Sequence, residues 1–84
     1  MIDIPGKYWR ASDGIHIDVR GLSAPEPMVS ILRVIEAHEA ENTIQVHHFC
    51  DPIYLYPELT ERGWSCEIIP GEPDEVRLVL TRDK

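Results

Sequence analysis

Four side chains that can bind a metal ion or carry out thiol chemistry lie close together near the middle of the sequence. They are His47, His48, Cys50 and Asp51. Imidazole, thiolate and carboxylate groups are common transition-metal ligands, and a cysteine between histidines and a helix start is in a setting that can depress a thiol pKa. Neighbouring residues of a strand point to opposite faces, however, so His47 and His48 share one ion only if the strand ends between them. The spacing favours an ordinary strand end leading into a turn, with a metal ion or a reactive thiol as the alternative.

A second pair of candidate metal ligands joins two distant parts of the sequence. His16 and His47 both lie on the polar side of predicted strands, so adjacent strands would make them neighbours on the uncovered face of a sheet. The second cysteine, Cys66, alternates with apolar residues, and we expect it to be a small buried side chain. The two cysteines do not form a Cys-x-x-Cys pair, so we expect free thiols and no resident cofactor.

The segment that joins the first predicted strand to the first predicted helix is the most distinctive part of the sequence. It reads Arg20, Gly21, Leu22, Ser23, Ala24, Pro25, Glu26 and Pro27. Ser23 and Glu26 could serve as nucleophile and base, but both residue types are common at helix starts and neither has an activating partner nearby in sequence. We therefore expect partner or ligand binding rather than catalysis here. A small anion held by free N–H groups of the helix start is one such ligand.

The overall charge argues against two classes of partner. The 84 residues include 15 acidic and 8 basic side chains, with a formal net charge of −7 at pH 7. The average field therefore repels nucleic acid and anionic membrane surfaces. No stretch approaches the roughly 20 apolar residues of a membrane span, and the first residues do not resemble a secretory signal. We expect a cytoplasmic monomer that contacts another protein.

Hydrophobic periodicity predicts the strands that position these residues. Residues 1–13 carry no sustained period, so we expect an N-terminal extension there and a single domain over residues 14–84. Alternation of apolar and polar residues predicts strands from Ile15, over residues 43–48, over residues 64–69 and over residues 75–81.

Helical spacing of apolar residues predicts a first helix that begins at Glu26 or Pro27 and ends around residues 38–40. A second helix is expected from Pro57, with Gly63 as the left-handed residue that ends it. The resulting order is strand, helix, strand, helix, strand, strand. It predicts an α/β fold, more closely an α+β two-layer sandwich, in which a mixed four-stranded sheet has both helices on one face.

The run Asp18, Val19, Arg20, Gly21, Leu22, followed by Ala24, Pro25 and Pro27, resembles the signature of the TusA-like or SirA-like sulfur-carrier family. In that family an Asp-x-Arg-Gly-Leu run leads into Cys-Pro-x-Pro, and the motif cysteine carries a persulfide. The resemblance extends over residues 15–80 and implies the same order of strands and helices. Ala24 stands at the cysteine position and has no nucleophile. Residues 55–57 and 61–64 look more like an uncharacterised sister group of these carriers, which also lacks the motif cysteine.

Two functional hypotheses follow. The first is a non-enzymatic accessory or partner-binding module on the sulfur-carrier scaffold, in which the helix start and the neighbouring loop, including Tyr54 and Tyr56, contact a protein. The second is a redox, sulfur-transfer or metal-binding protein that uses Cys50 with His47 or His48.

Overall fold

Five strands and two helices make up the described part of the chain, which in the computed structural model comprises residues 4–37 and 42–83. In chain order they are β1 (Lys7–Ala11), β2 (Gly14–Asp18), α1 (Glu26–Ala37), β3 (Thr43–His48), α2 (Leu55–Glu61), β4 (Trp64–Pro70) and β5 (Val76–Arg82). The strands form one mixed sheet in the order β1-β2-β3-β5-β4. β2 and β3 pair in parallel across the α1 crossover, and the β4–β5 hairpin is antiparallel, as the sequence predicts.

One face of the sheet forms the core. Alternate apolar residues of the three central strands are fully buried there, for example Ile17, Val46 and Leu78. The buried residues of both helices, such as Val34 of α1 and Leu59 of α2, belong to the same apolar cluster. Both helices therefore cover one face of the sheet, and no element of the described chain covers the other.

The prediction of a four-stranded sheet was wrong, because a fifth strand lies within the segment predicted to be an extension. β1 pairs antiparallel with β2 through contacts such as Tyr8 with Ile17 and Arg10 with Ile15. As an edge strand, β1 buries little: Tyr8 is half-buried and its four companions are exposed. A strand exposed on both faces needs no alternation of apolar and polar residues, and its sequence therefore shows no period.

The helices start close to the predicted positions. α1 begins at Glu26, and its predicted end at residues 38–40 lies outside the described residues. α2 begins at Leu55, two residues before the predicted start at Pro57. Pro57 fits there because the first turn of a helix leaves its N–H groups without an intrahelical acceptor, so a proline loses nothing. Gly63 has a φ of +80°, which confirms its predicted left-handed conformation. Among the described residues, no helix combines the length and apolar character needed to cross a membrane.

Candidate functional site

An apolar groove opens between the start of α1 and the connection from β3 to α2. Its volume is about 800 Å³. One wall is formed by residues of the segment before α1 and its first turns, namely Leu22, Ser23, Ala24, Pro25, Pro27, Met28 and Ile31. The other wall is the continuous run of residues 48–55. The groove thus brings together two regions singled out in the sequence, the strand-to-helix segment and the cluster around Cys50.

The strand-to-helix segment is held in place by the side chain at the end of β2. The backbone N–H of Arg20 donates to Asp18 Oδ1 at 3.0 Å, and the Arg20 guanidinium donates to both oxygens of the same carboxylate, from Nε at 3.1 Å and from Nη2 at 3.0 Å. These hydrogen bonds hold the pKa of Asp18 below its usual range. Gly21 follows with a φ of +86°, a conformation that favours glycine. Asp18, Arg20 and Gly21 therefore shape the turn, and Arg20 and Gly21 do not line the groove.

The start of α1 offers an anion little to bind. Pro27 has no N–H, the Glu26 N–H donates to the Ser23 carbonyl at 2.9 Å, and the Val29 N–H donates to the Pro25 carbonyl at 3.1 Å. At most one N–H group among the first four helical residues, that of Met28, is left for a ligand. The Glu26 carboxylate at the same place repels an anion. The geometry thus disfavours the predicted anion site, and the Ser23 carbonyl accepts in the turn that leads into the helix. The peptide bond between Ala24 and Pro25 is cis.

His48 anchors the opposite wall through its ring nitrogen Nδ1. This atom accepts N–H groups from Phe49 at 2.9 Å and from Cys50 at 3.3 Å, and His48 as a residue is only 3% exposed. An imidazole nitrogen that accepts two N–H groups carries no proton itself. Burial lowers the pKa of His48 below its ordinary value of 6.5, because desolvation disfavours the charged ring. His48 is therefore a neutral structural acceptor that fixes the backbone of the groove wall.

The two cysteines are free, as the sequence predicts, and differ in setting. Cys50 is exposed on the groove wall, with its Sγ atom 3.9 Å from the unprotonated Nδ1 of His48. Cys66 is half-buried and packs against the core, where burial and then the charge of Asp51 raise its thiol pKa to about 11. The Asp51 carboxylate accepts the hydroxyl of Tyr56, whose pKa is raised by burial and by that hydrogen bond.

Large apolar side chains are exposed to solvent on the wall formed by residues 48–55. Phe49 is 44% exposed, Ile53 is 59% exposed and Tyr54 is 82% exposed. The sequence predicts Tyr54 as a contact residue, and its exposure agrees with that prediction. The sequence analysis did not single out Phe49 and Ile53, because apolar residues in an irregular connection carry no periodic signal. The available sign of a contact surface was the density of apolar residues in the connection between the strand over residues 43–48 and the helix predicted from Pro57.

The uncovered face of the sheet carries a chain of four hydrogen-bonded side chains. His16 and His47 meet as neighbours there, with Nδ1 of the first 3.0 Å from Nε2 of the second. The outer nitrogen of His16, Nε2, lies 2.7 Å from an oxygen of Asp13, and that of His47, Nδ1, lies 2.7 Å from an oxygen of Glu75. The indole of Trp9 lies over both imidazoles, at ring-centroid distances of 5.4 and 5.7 Å and nearly parallel to each.

Glu75, at one end of these hydrogen-bonded side chains, lies in the loop before β5. The Glu75 side chain is 2% exposed and also accepts the Glu72 N–H at 3.1 Å and the Arg77 guanidinium at 3.2 Å. Arg20 lies 3.7 Å away. Burial acts to raise the pKa of Glu75, but the hydrogen bonds from His47 and the Glu72 N–H and the charge of Arg77 outweigh it and keep the pKa below the usual range.

Neither predicted set of metal ligands converges on a point. His47 and His48 project to opposite faces of β3. His47 joins the hydrogen-bonded side chains on the uncovered face, and His48 lies in the groove wall. His16 and His47 direct a nitrogen at each other rather than at a common third position. Within residues 4–37 and 42–83, no group of three or more His, Cys, Asp and Glu side chains is arranged to hold a metal ion.

Comparison with known proteins places the chain in a family. The family model described as an uncharacterized conserved protein (DUF2249) matches residues 16–82. The chain belongs to this family. The match includes the groove, His16, His47 and Glu75, whereas β1 with Trp9 and the turn with Asp13 precede it. Searches of curated proteins and of solved structures gave no match. The similarity to the sulfur carriers stays a prediction from the sequence.

Proposed function

We propose that this protein is a non-enzymatic binding module that holds an apolar segment of a partner protein in the groove between α1 and residues 48–55. The observation that carries the proposal is the set of exposed apolar side chains on one wall of the groove, Phe49, Ile53 and Tyr54. Contiguous apolar surface of this kind is typical of protein contact sites, and aromatic residues are enriched in them. The groove volume of about 800 Å³ is large enough to bury several side chains.

The charges near the groove select the chemistry of the partner. Glu26 and Asp51 are exposed on its two sides, and the chain carries a formal net charge of −7. Complementary charges steer association and suppress wrong partners more than they add affinity. The segment that fits best therefore combines apolar side chains for the groove with Lys or Arg residues beside them.

The residue at the helix start supports binding rather than transfer chemistry. Ala24 lies exposed on the groove wall at the position where the resembling sulfur carriers have their persulfide cysteine. A methyl group leaves the groove open and supplies no nucleophile. On this view the protein retains a scaffold of the sulfur-carrier type and uses its helix start as a contact surface.

A matched pair of substitutions tests the proposal. Ile53 and Ile68 are both exposed isoleucines, at 59% and 51%, but Ile53 lines the groove and Ile68 lies on β4 away from it. Wild type, Ile53→Lys and Ile68→Lys are used to recover partners from the native host, and the bound segment is mapped by cross-linking from the groove. A synthetic peptide of that segment is then titrated with all three proteins by fluorescence polarisation.

The proposal expects a segment of mixed apolar and basic character that binds wild type and Ile68→Lys alike. Its affinity for Ile53→Lys should fall by roughly tenfold to a hundredfold, the size of effect usual for removing one central apolar contact and adding a like charge. Equal loss in both variants, or a segment that cross-links away from the groove, contradicts it.

Cys50 supports a second candidate function, sulfur relay with a relocated thiol, because it is exposed on the wall that faces Ala24. In that reaction the Cys50 thiolate attacks the outer sulfur of a donor persulfide. A new S–S bond forms on Cys50, the donor S–S bond breaks, and the donor leaves as a thiolate. The neutral His48 beside Cys50 supplies no positive charge to favour the thiolate. Mass spectrometry after incubation with a persulfide donor decides, since an unmodified Cys50 rules this function out.

A further inference from the structure

The two imidazoles on the uncovered face are joined edge to edge rather than stacked. Their nearest nitrogens are 3.0 Å apart, whereas the ring centroids are 5.3 Å apart with planes inclined by 19°. A centroid distance so much longer than the nearest contact, between nearly parallel rings, means that the rings lie side by side in about one plane. The contact between His16 and His47 is therefore an in-plane N–H···N hydrogen bond.

The number of protons shared by the four hydrogen-bonded side chains determines their total charge. Three contacts link Asp13, His16, His47 and Glu75, and each contact needs one proton when both carboxylates are ionised. Two neutral imidazoles carry two protons in total. The third contact therefore requires one proton more, and the pair is a single cation shared by two rings.

The surroundings favour that extra proton. Both carboxylates are ionised, since the hydrogen bond from His16 lowers the pKa of Asp13 and the bonds to Glu75 lower its pKa despite burial. The Trp9 indole presents its face to both rings, which stabilises a cation. The other charged groups on this face, from each element packed against the pair, are Lys7 of β1, Asp18 of β2 with Arg20 after it, and Arg77 of β5.

We propose that Asp13, His16, His47 and Glu75 form a proton-loaded clasp that holds the β1–β2 hairpin to the loop before β5 and opens when the shared proton count changes. A fourth proton places two N–H groups against each other between His16 and His47. Loss of the third proton leaves two lone pairs opposed at one of the contacts. Either change breaks the chain, and Trp9 loses the flat platform under its ring.

The edge strand is the part that an open clasp releases. β1 has one neighbour in the sheet, β2, and Trp9 is its contact with the imidazole pair. An edge strand that detaches exposes the N–H and C=O groups of its neighbour for pairing with another chain. Acidification thus changes which edge of the sheet is open, independently of the groove.

Nuclear magnetic resonance of histidines labelled with ¹⁵N tests the clasp, because long-range ¹H–¹⁵N spectra show which imidazole nitrogens carry protons. Near neutral pH, three of the four nitrogens of His16 and His47 should be protonated. On acidification both rings should shift in the same step, as coupled groups do. In that step, the exchange protection of β1 amides should fall by about tenfold or more, the size expected for the loss of a charge-assisted hydrogen bond.

Two exposed carboxylates provide the matched variants. Asp13→Asn removes a charge from the clasp and should lower the pH at which the rings lose their third proton, whereas Asp83→Asn, which alters a carboxylate bonded to Ser65 elsewhere, should not. Two neutral rings with one N–H each that titrate separately, or equal shifts in both variants, overturn the proposal.

Discussion

Replacing His48 with leucine is expected to destabilise the protein by about 0.5–1.5 kcal/mol, the usual net contribution of one hydrogen bond, since its donors are only partly buried. Leucine fills much of the same space but accepts no hydrogen bond. The Phe49 N–H, whose nitrogen lies 2.9 Å from Nδ1, loses its acceptor, and residue 48 is 3% exposed. The Cys50 N–H adds less, because its bond to Nδ1 is longer at 3.3 Å.

The same variant should remove one part of the pH dependence of stability. Because burial lowers the pKa of His48 in the folded protein, the unfolded chain binds a proton more readily at this residue. The contribution to stability is therefore complete above the unfolded pKa of about 6.5 and is lost as the pH falls towards the lower folded value. In His48→Leu this slope should be absent.

Urea denaturation of wild type, His48→Leu and His48→Asn over about pH 5 to pH 8 provides the measurement. The acceptor oxygen of asparagine is bonded to Cγ, as is Nδ1 of histidine. His48→Asn should therefore recover part of the lost stability at neutral pH without recovering the dependence of stability on pH. If His48→Leu is as stable as wild type at neutral pH, or if His48→Asn is no better than His48→Leu, His48 is not the acceptor that holds the groove wall.

Two further predictions concern the loop before β5 and the thiols. A Cβ atom at Gly71 would overlap Oε1 of Glu75, which is held by the Glu72 N–H and the Arg77 guanidinium. Gly71→Ala should therefore cost about 1–3 kcal/mol of unfolding free energy, measured by urea denaturation. An unchanged midpoint would mean that the carboxylate moves freely. At about pH 8, Cys50 should react with a thiol reagent at least roughly tenfold faster than Cys66. The reason is that Cys50 is exposed, whereas burial raises the thiol pKa of Cys66 to about 11. Comparable rates in single-cysteine variants would contradict this.

The sequence predicts the centre of the sheet well because the physics there is simple. Residues 43–48 alternate apolar and polar side chains between two faces, and β3 has those bounds. The crossover from β2 to β3 contains a helix, which requires parallel pairing. The edge strand β1 gave no such signal, since a strand that buries little on either face has a sequence indistinguishable from that of a loop.

The candidate sites were foreseeable in part. Shared parity on adjacent strands predicts the contact between His16 and His47, because strand periodicity fixes the face of each side chain. The carboxylates at the two ends were not foreseeable. Asp13 lies in a hairpin turn created by the unpredicted strand β1, and Glu75 reaches His47 because β5 pairs antiparallel with β3 at that register. Long-range pairing of this kind has no local signature.

The prolines of the groove decide how binding to it can be observed. Pro25 and Pro27 on one wall and Pro52 on the other have no N–H, so they give no signal in amide-detected spectra and no reading in hydrogen exchange. A ligand that lies only against these prolines would escape amide-based mapping, although the other residues that line the groove carry N–H groups. The methyl groups of Ala24, Met28, Ile31 and Ile53 surround the same space. Methyl labelling therefore reports on the part of this surface that amide spectra miss, and it complements the N–H groups of the other residues that line the groove.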